Sequence, residues 1–202
     1  MIKDFEKYNF IDFVKSLNIN LDDFNLSDEN FDHKSMIHGV NHVYRVMFNC
    51  FLIGSKMGDI RNTRNAFFAA FLHDLARKTD AACKIHGRES AKTKLPLYLD
   101  VLYRNGADEK DIKSIKTAIE NHSDAYELEK ENPYYKTTSI LRDADGMDLV
   151  RLDRTINPNI LRNRESAGLI DKTTKLYNHT VFKKYDKFYD FLDDGINIVF
   201  KK

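Results

Sequence analysis

The amino-acid sequence predicts an all-α protein. Only three prolines and eight glycines interrupt its 202 residues, and the alternation of apolar and polar residues that is typical of strands is scarce. Hydrophobic residues make up 42% of the chain, and fourteen Phe and ten Tyr supply the apolar surface for a sizeable core. A single folded domain over residues 1–202 is therefore expected.

The first part of the chain contains three predicted helices. Residues 2–17 form an amphipathic helix, and residues 18–33, which are rich in Asp and Asn, form a loop. A longer helix is expected over 35–57, because Gly58 is typical of the position just after a helix C-terminus. Residues 60–76 form a third helix whose centre is apolar nearly all round, as in helices buried inside a bundle.

The remaining chain contains five further predicted helices, over 86–105, 108–123, 135–152, 166–182 and 184–200. Pro96 should break the first of these, and Gly106 should end it. Pro158 interrupts the chain between the third and the fourth. The central bundle is expected over about 35–165, with accessory helices in 1–34 and 166–202.

Composition excludes several classes of protein. The net charge is +1, which gives no strong signal for nucleic acid. No run of eighteen apolar residues is present to span a membrane. The charged residues within 1–17 argue against a signal peptide, so a cytoplasmic protein is expected. Cys50 and Cys83 form no CxxC pair and are interpreted as reduced, partly buried thiols.

Histidine and aspartate residues occur where the predicted helices should face inward. These residues are His42, His73, Asp74, His122 and Asp145, and His86 opens a further predicted helix between His73-Asp74 and His122. Burial of an unpaired carboxylate is costly, so aspartates beside several imidazoles indicate a bound cation. Mixed histidine and carboxylate ligands favour Mn, Fe, Co, Ni or Zn over Ca. Helical bundles commonly hold such metals between facing helices.

Five segments carry a resemblance to a known family. They are His38 to Val46 (HGVNHVYRV), Ala70 to Arg77 (AFLHDLAR), His86 to Ala91, Ala118 to Ser123, and Asp143 to Leu149 (DADGMDL). Together they resemble the HD superfamily of metal-dependent phosphohydrolases, most of all small bacterial members with HGxxHxxRV and DADRLDL-type segments. The resemblance implies an HD-domain-like helical bundle. One departure is Gly146, where an arginine is usual, which removes a cation that could contact Asp145 or substrate.

The resemblance also implies a ligand set. The first metal is assigned to His42, His73, Asp74 and Asp145. Asp143 is the rival for the last position, and Asp145 is preferred because it follows Ala and shares a helix face with Leu141. His86 and His122 match positions that bind a second metal, or that bind substrate phosphate in a one-metal site. One or two divalent transition-metal ions are therefore expected.

The implied reaction is hydrolysis of a phosphoester in a small substrate, with nucleotides first among the substrates, by metal-activated water. Asp74 is the candidate general base. Arg45 is the candidate to hold phosphate, and His38, Arg77 and Arg88 are further candidate substrate contacts; each arginine could equally form a surface salt bridge. His33 and His179 fall outside the pattern and are expected at the surface.

Two alternatives stay open at this point. Some HD proteins with the same six ligands are di-iron oxygenases, and a non-catalytic metal-binding regulatory module is the other alternative. Association into a homo-oligomer, for example through the aromatic residues of 185–191, is also left open.

Overall fold

The computed structural model describes residues 2–201, and no strand occurs among them. The prediction of an all-α fold is confirmed. The helices are α1 (Ile2–Ser16), α2 (Val40–Met57), α3 (Ile60–Leu72), α4 (His86–Thr93), α5 (Leu99–Arg104), α6 (Glu109–Asn121), α7 (Tyr135–Gly146), α8 (Arg164–Ala167), α9 (Ile170–Thr180) and α10 (Phe188–Phe200). Short 3-10 turns lie at Leu21–Phe24, Asp28–Asn30, Leu95–Tyr98, Leu149–Leu152 and Pro158–Ile160.

Helices α2, α3, α6 and α7 pack against one another and form the centre of the molecule. The apolar middle of α3 is fully buried there, as its sequence predicts. Gly54 lets α2 and α3 approach closely, because a Cβ at this position would lie only 1.9 Å from Thr63 Oγ1. This packing holds the C-terminal end of α3 inside the bundle.

Aromatic side chains join the outer helices to the same core. Phe51 of α2 stacks on Phe67 of α3 with ring centroids 4.7 Å apart, and Phe188 of α10 packs on both rings. Phe10 of α1 lies 5.2 Å from Phe200 of α10. Each fully buried phenylalanine stabilises the fold by roughly 1.5–3 kcal/mol, so the N- and C-terminal segments are built into the core.

Several predicted helix boundaries are wrong. Helix α2 begins at Val40 instead of residue 35, because Ser35 Oγ accepts hydrogen bonds from the backbone N–H groups of Ile37 and His38 and holds a turn there. Helix α7 ends at Gly146 instead of continuing to 152, and residues 149–152 form a 3-10 turn.

The C-terminal helices also differ from the prediction. The helix expected over 166–182 is divided into α8 and α9, with Gly168 between them, and α10 begins at Phe188 instead of residue 184. The predicted break at Pro96 is confirmed, because the 3-10 turn that contains Pro96 divides the helix expected over 86–105. Gly58 and Gly106 do end helical segments, with left-handed φ values of 68° and 86°.

Two composition-based expectations concern the cysteines and the membrane. Both cysteines are free, with Cys50 buried and Cys83 half-buried. Across the part of the chain that the structure describes, every helix is too short or too polar to cross a bilayer.

Candidate metal centre

Six side chains that the sequence singled out converge between the central helices. They are His42 from the first turn of α2, His73 and Asp74 from the end of α3, His86 from the start of α4, His122 from the end of α6, and Asp145 from α7. Five of the six are buried, and the Asp145 side chain is 22% exposed. We call these six residues the His/Asp cluster.

The first half of the His/Asp cluster surrounds the Nε2 atom of His42. This atom lies 3.2 Å from His73 Nε2 and 3.4 Å from both Asp74 Oδ2 and Asp145 Oδ1. Ligand atoms of His42, His73 and Asp145 all lie within 4.8 Å of one another. The four residues expected to bind the first metal are therefore close enough to share one ion.

The second half of the cluster lies on the other side of Asp74. His86 Nε2 is 2.8 Å from His122 Nε2 and 3.0 Å from Asp74 Oδ1, and His122 Nε2 is 3.7 Å from the same oxygen. One carboxylate oxygen of Asp74 therefore faces His42 and the other faces His86 and His122. Asp74 stands between two groups of imidazole nitrogens.

Hydrogen bonds to the backbone set the tautomer of three imidazoles. Each ring turns Nδ1 toward a carbonyl three residues earlier, and the pairs are His73 with Ala70 O (2.6 Å), His86 with Cys83 O (2.6 Å) and His122 with Ile119 O (2.7 Å). A carbonyl oxygen only accepts, so Nδ1 carries the proton and Nε2 presents a lone pair. His42 Nδ1 similarly meets the Asp148 carboxylate at 2.7 Å.

The chemistry of this donor set fits divalent metal ions. Nε2 lone pairs of neighbouring rings face each other at 2.8 and 3.2 Å, a repulsive arrangement unless a cation lies between them. Asp74 Oδ1 and Asp145 Oδ1 are buried and accept no hydrogen bond, which is costly for carboxylate oxygens. Metal ions would satisfy the nitrogens and the oxygens together.

Burial and neighbouring charges shift the pKa values of the cluster in opposite directions. Burial lowers the pKa of His73 to about 3, which keeps the ring neutral. Burial by itself raises the pKa of Asp74 and Asp145, yet the imidazoles around Asp74, led by His73, and the Arg151 guanidinium beside Asp145 hold both pKa values below the ordinary value. These shifts favour a neutral His73 and ionised Asp74 and Asp145, the protonation states that metals need.

Arg45 lies on the Nδ1 side of His42, next to Asp148. This position differs from the contact with phosphate that was expected. Its Nε donates to Asp148 Oδ1 at 2.6 Å and its Nη2 to Oδ2 at 3.0 Å. The guanidinium also lies over the ring of Tyr177, 5.0 Å from the centroid. Arg45 is thus a partner of Asp148, whose carboxylate in turn orients His42.

The other predicted substrate contacts have different locations. Arg77 lies at the cluster, with Nη1 3.1 Å from His86 Nε2 and 3.6 Å from Asp74 Oδ1. Arg88 does not lie there, because its exposed side chain pairs with Asp124 at 2.6 Å; its offset of two from His86 turns it to the outside of α4.

The three histidines outside the cluster differ in burial. His38 precedes α2, so the helical face expected to join it to His42 does not exist, yet its buried ring packs edge-on against His42 at 5.9 Å. Its Nδ1 is 3.2 Å from Asp80, and burial lowers its pKa to about 4. His33 is half-buried with Nε2 3.6 Å from Asp80, and His179 is exposed.

Asp143 binds the segment around the start of α8 and does not join the histidines. Its carboxylate accepts hydrogen bonds from the backbone N–H groups of Arg162 and Asn163 and from Ser166 Oγ, each at 2.8 Å. These bonds attach the segment before α8 to α7. The preference for Asp145 over Asp143 agrees with this geometry.

Two residues at the centre were missed by sequence reasoning. Asp148 bonds to His42, and Arg151 Nη2 lies 3.4 Å from Asp145 Oδ1. The available signal for Asp148 was its position three residues after Asp145, which repeats the spacing of a helix face. Arg151 follows the end of α7 in a 3-10 turn, so helical periodicity carries no signal for it.

Comparison with known proteins identifies one family. A family model described as HD domain matches residues 39–149. That segment contains the entire His/Asp cluster together with Asp148, and it ends before Arg151. Comparisons with curated proteins and with solved structures find no match.

Proposed function

Because the chain belongs to the HD domain family, we propose that it is a metal-dependent phosphohydrolase that acts on a small phosphorylated molecule. The family comprises metal-dependent phosphohydrolases in general. The observation that carries the proposal is the arrangement of Asp74, whose two oxygens face His42 at 3.4 Å and His86 at 3.0 Å.

We propose two ions instead of one. His86 and His122 turn Nε2 lone pairs toward each other and toward the unpaired Oδ1 of Asp74. An unprotonated phosphate oxygen only accepts hydrogen bonds, so it cannot satisfy two imidazole lone pairs. A second cation is therefore the better occupant of this half of the cluster. Asp74 would be a ligand of both ions.

The first ion would be held by His42, His73, Asp74 and Asp145, and the second by His86, His122 and Asp74. A ligand atom of His73 also lies within 4.8 Å of ligand atoms of Asp74 and His122. Such ions supply Lewis-acid polarisation of a phosphoryl oxygen and acidify a water molecule. Arg77 adds positive charge beside His86. With the ions present, cationic charge would exceed that of the buried carboxylates, which favours an anionic substrate. Nucleotides are the first class to test.

Oxygen activation by a di-iron pair is the second candidate, because the His86 and His122 pair completes a six-ligand set that also suits two irons. The guanidinium groups beside the cluster favour the phosphohydrolase. A non-catalytic regulatory module explains less, since the six candidate ligands converge and backbone hydrogen bonds orient three of their imidazoles.

The test is metal analysis of the full-length protein followed by a panel of nucleotides and other phosphoesters with Mn, Co, Ni and Mg. We expect metal-dependent release of phosphate or of a nucleoside monophosphate. His73→Ala should abolish this release, whereas His179→Ala, a change of an exposed histidine outside the cluster, should leave it unchanged. Turnover that requires iron and O₂, with no phosphoester hydrolysed by any metal-loaded form, would favour the oxygenase.

A further inference from the structure

Arg151 lies against the cluster from a segment that the family match does not include. It belongs to the 3-10 turn Leu149–Leu152 after α7, and its side chain is 6% exposed. Its Nη2 lies 3.4 Å from Asp145 Oδ1, the same oxygen that lies 3.4 Å from His42 Nε2. Its Nη1 donates to the backbone carbonyl of Asp148 at 3.1 Å.

The guanidinium of Arg151 is only partly satisfied by the protein. Its Nε is buried and has no hydrogen-bond partner, and Asp145 Oδ1 accepts no hydrogen bond despite its proximity to Nη2. Buried donors without acceptors are rare in folded proteins. An acceptor from outside the chain would satisfy the free N–H groups of this guanidinium.

The most exposed member of the cluster lies next to Arg151. The Asp145 side chain is 22% exposed, whereas the other five side chains are at most 6% exposed. A substrate therefore reaches the cluster from the side of Asp145. Arg77, another arginine at the cluster, lies near His86 instead, with its Nη2 bonded to Ala81 O. Its Nε is buried without a partner like that of Arg151, so the exposure of Asp145 is what distinguishes the position of Arg151.

We propose that Arg151 binds an anionic oxygen of the substrate, of the phosphate type, beside Asp145. This inference rests on the proposed function, because it assigns a contact to the substrate of the same site. The planar guanidinium suits phosphate through two parallel N–H donors, which lysine cannot provide.

The neighbouring Gly146 agrees with this assignment. A Cβ at Gly146 would lie 3.9 Å from Leu161 Cδ2, an ordinary contact, so packing does not exclude a side chain there. The chain nonetheless provides no cation at 146, and Arg151 is the guanidinium that lies near Asp145 Oδ1.

The test measures inorganic phosphate binding to the metal-loaded, full-length protein by isothermal titration calorimetry, with metal content measured on the same samples. Arg151→Ala should weaken phosphate binding at least tenfold with unchanged metal content. Arg151→Lys should weaken phosphate binding by a smaller factor, because lysine keeps the positive charge but lacks the two parallel N–H donors of arginine. Arg154→Ala, a change of an exposed arginine three residues later, should bind phosphate like the wild type.

Two results would overturn the proposal. The first is phosphate affinity that is unchanged in Arg151→Ala, or in Arg151→Lys if the alanine variant does not fold. The second is weak phosphate binding that excess metal fully restores, since Arg151 would then only position Asp145. Phosphate binding that depends on Arg151, with no phosphoester hydrolysed, would instead uphold this inference and remove the proposed function.

Discussion

His42 contacts two carboxylates of the same polypeptide segment with its two ring nitrogens. Its Nδ1 lies 2.7 Å from Asp148 Oδ2, and its Nε2 lies 3.4 Å from Asp145 Oδ1. Asp145 is in α7 and Asp148 is in the turn that follows. The end of α7 therefore supplies both a candidate metal ligand and the group that orients the opposite ligand.

Loss of the Asp148 charge should weaken metal binding. In Asp148→Asn, the side chain still fills the space but loses the negative charge that attracts the Nδ1 proton of His42 and pairs with Arg45. We expect metal affinity to fall about 10- to 100-fold, as for other partners of metal-binding histidines. Competition with a chromophoric chelator measures this affinity. Asp153→Asn, at an exposed position, is the matched control, and equal affinities of the two variants would contradict the role of Asp148.

Arg45 should contribute to stability more than to substrate binding. Arg45→Met leaves the buried Asp148 carboxylate without two charge-assisted hydrogen bonds, so the free energy of unfolding should fall by about 3–5 kcal/mol. Urea denaturation measures the loss. Arg88→Met, which removes only an exposed pair with Asp124, should change it by at most about 1 kcal/mol. An unchanged free energy of unfolding together with a raised KM would instead support the contact between Arg45 and phosphate that the sequence predicts.

The positions of the candidate ligands were predictable because each lies at a place that local sequence controls. His73 and His122 each follow the last residue of a helix. Their backbone conformations match, with φ −58° and ψ −35° for His73 and φ −59° and ψ −35° for His122. The apolar middle of α3 ensures that its end is buried. Helix class and the inward-facing residues thus follow from periodicity.

The groups that surround the ligands were not predictable in the same way. The bond between Arg45 and Asp148 joins residues 103 positions apart, and a sequence alone contains no measure of that proximity. Arg45 was expected to face substrate, because helical spacing places it near His42. The spacing does not show whether Arg45 lies on the side of the cluster or on the side of Asp148. Arg151 depends on how the chain turns after α7, and side-chain hydrogen bonds decide such turns.

Removal of one histidine from the second half of the cluster should remove one ion. We expect two equivalents of metal in the wild type and one in His122→Ala, because His122 Nε2 lies 2.8 Å from His86 Nε2 and 3.7 Å from Asp74 Oδ1, the carboxylate oxygen that faces His86. Inductively coupled plasma mass spectrometry gives the ratio of metal to protein. His179→Ala should retain two equivalents. A single equivalent in the wild type that persists in His122→Ala would contradict a two-ion site.

The metal-free protein should become less stable as pH falls below 6.5. His73 and His38 bind protons near pH 6.5 in the unfolded chain, but burial lowers their pKa values to about 3 and about 4 in the fold. The unfolded state therefore takes up protons first, and the free energy of unfolding should decrease between pH 6.5 and 4 by up to about 1.4 kcal/mol per pH unit for each histidine. Urea denaturation after chelator treatment tests this, and His38→Gln should reduce the slope while His179→Gln should not. Stability that is constant or rises toward pH 4 would contradict the prediction.

A single methyl group on α4 should disturb the second half of the cluster. Gly87 follows His86, and a Cβ there would lie 2.4 Å from Ile119 O and 2.9 Å from His122 Nδ1. Because Ile119 O is the atom that holds His122 Nδ1, Gly87→Ala should separate α4 from α6 and turn His122 away from Asp74. We expect a loss of about 1–3 kcal/mol in the free energy of unfolding from overpacking, together with loss of the second ion before the first in a chelator titration. Gly168→Ala, whose Cβ would have its nearest neighbour at 3.7 Å, should change neither quantity. Retention of both ions with wild-type affinity in Gly87→Ala would mean that His122 does not need this close approach to bind metal.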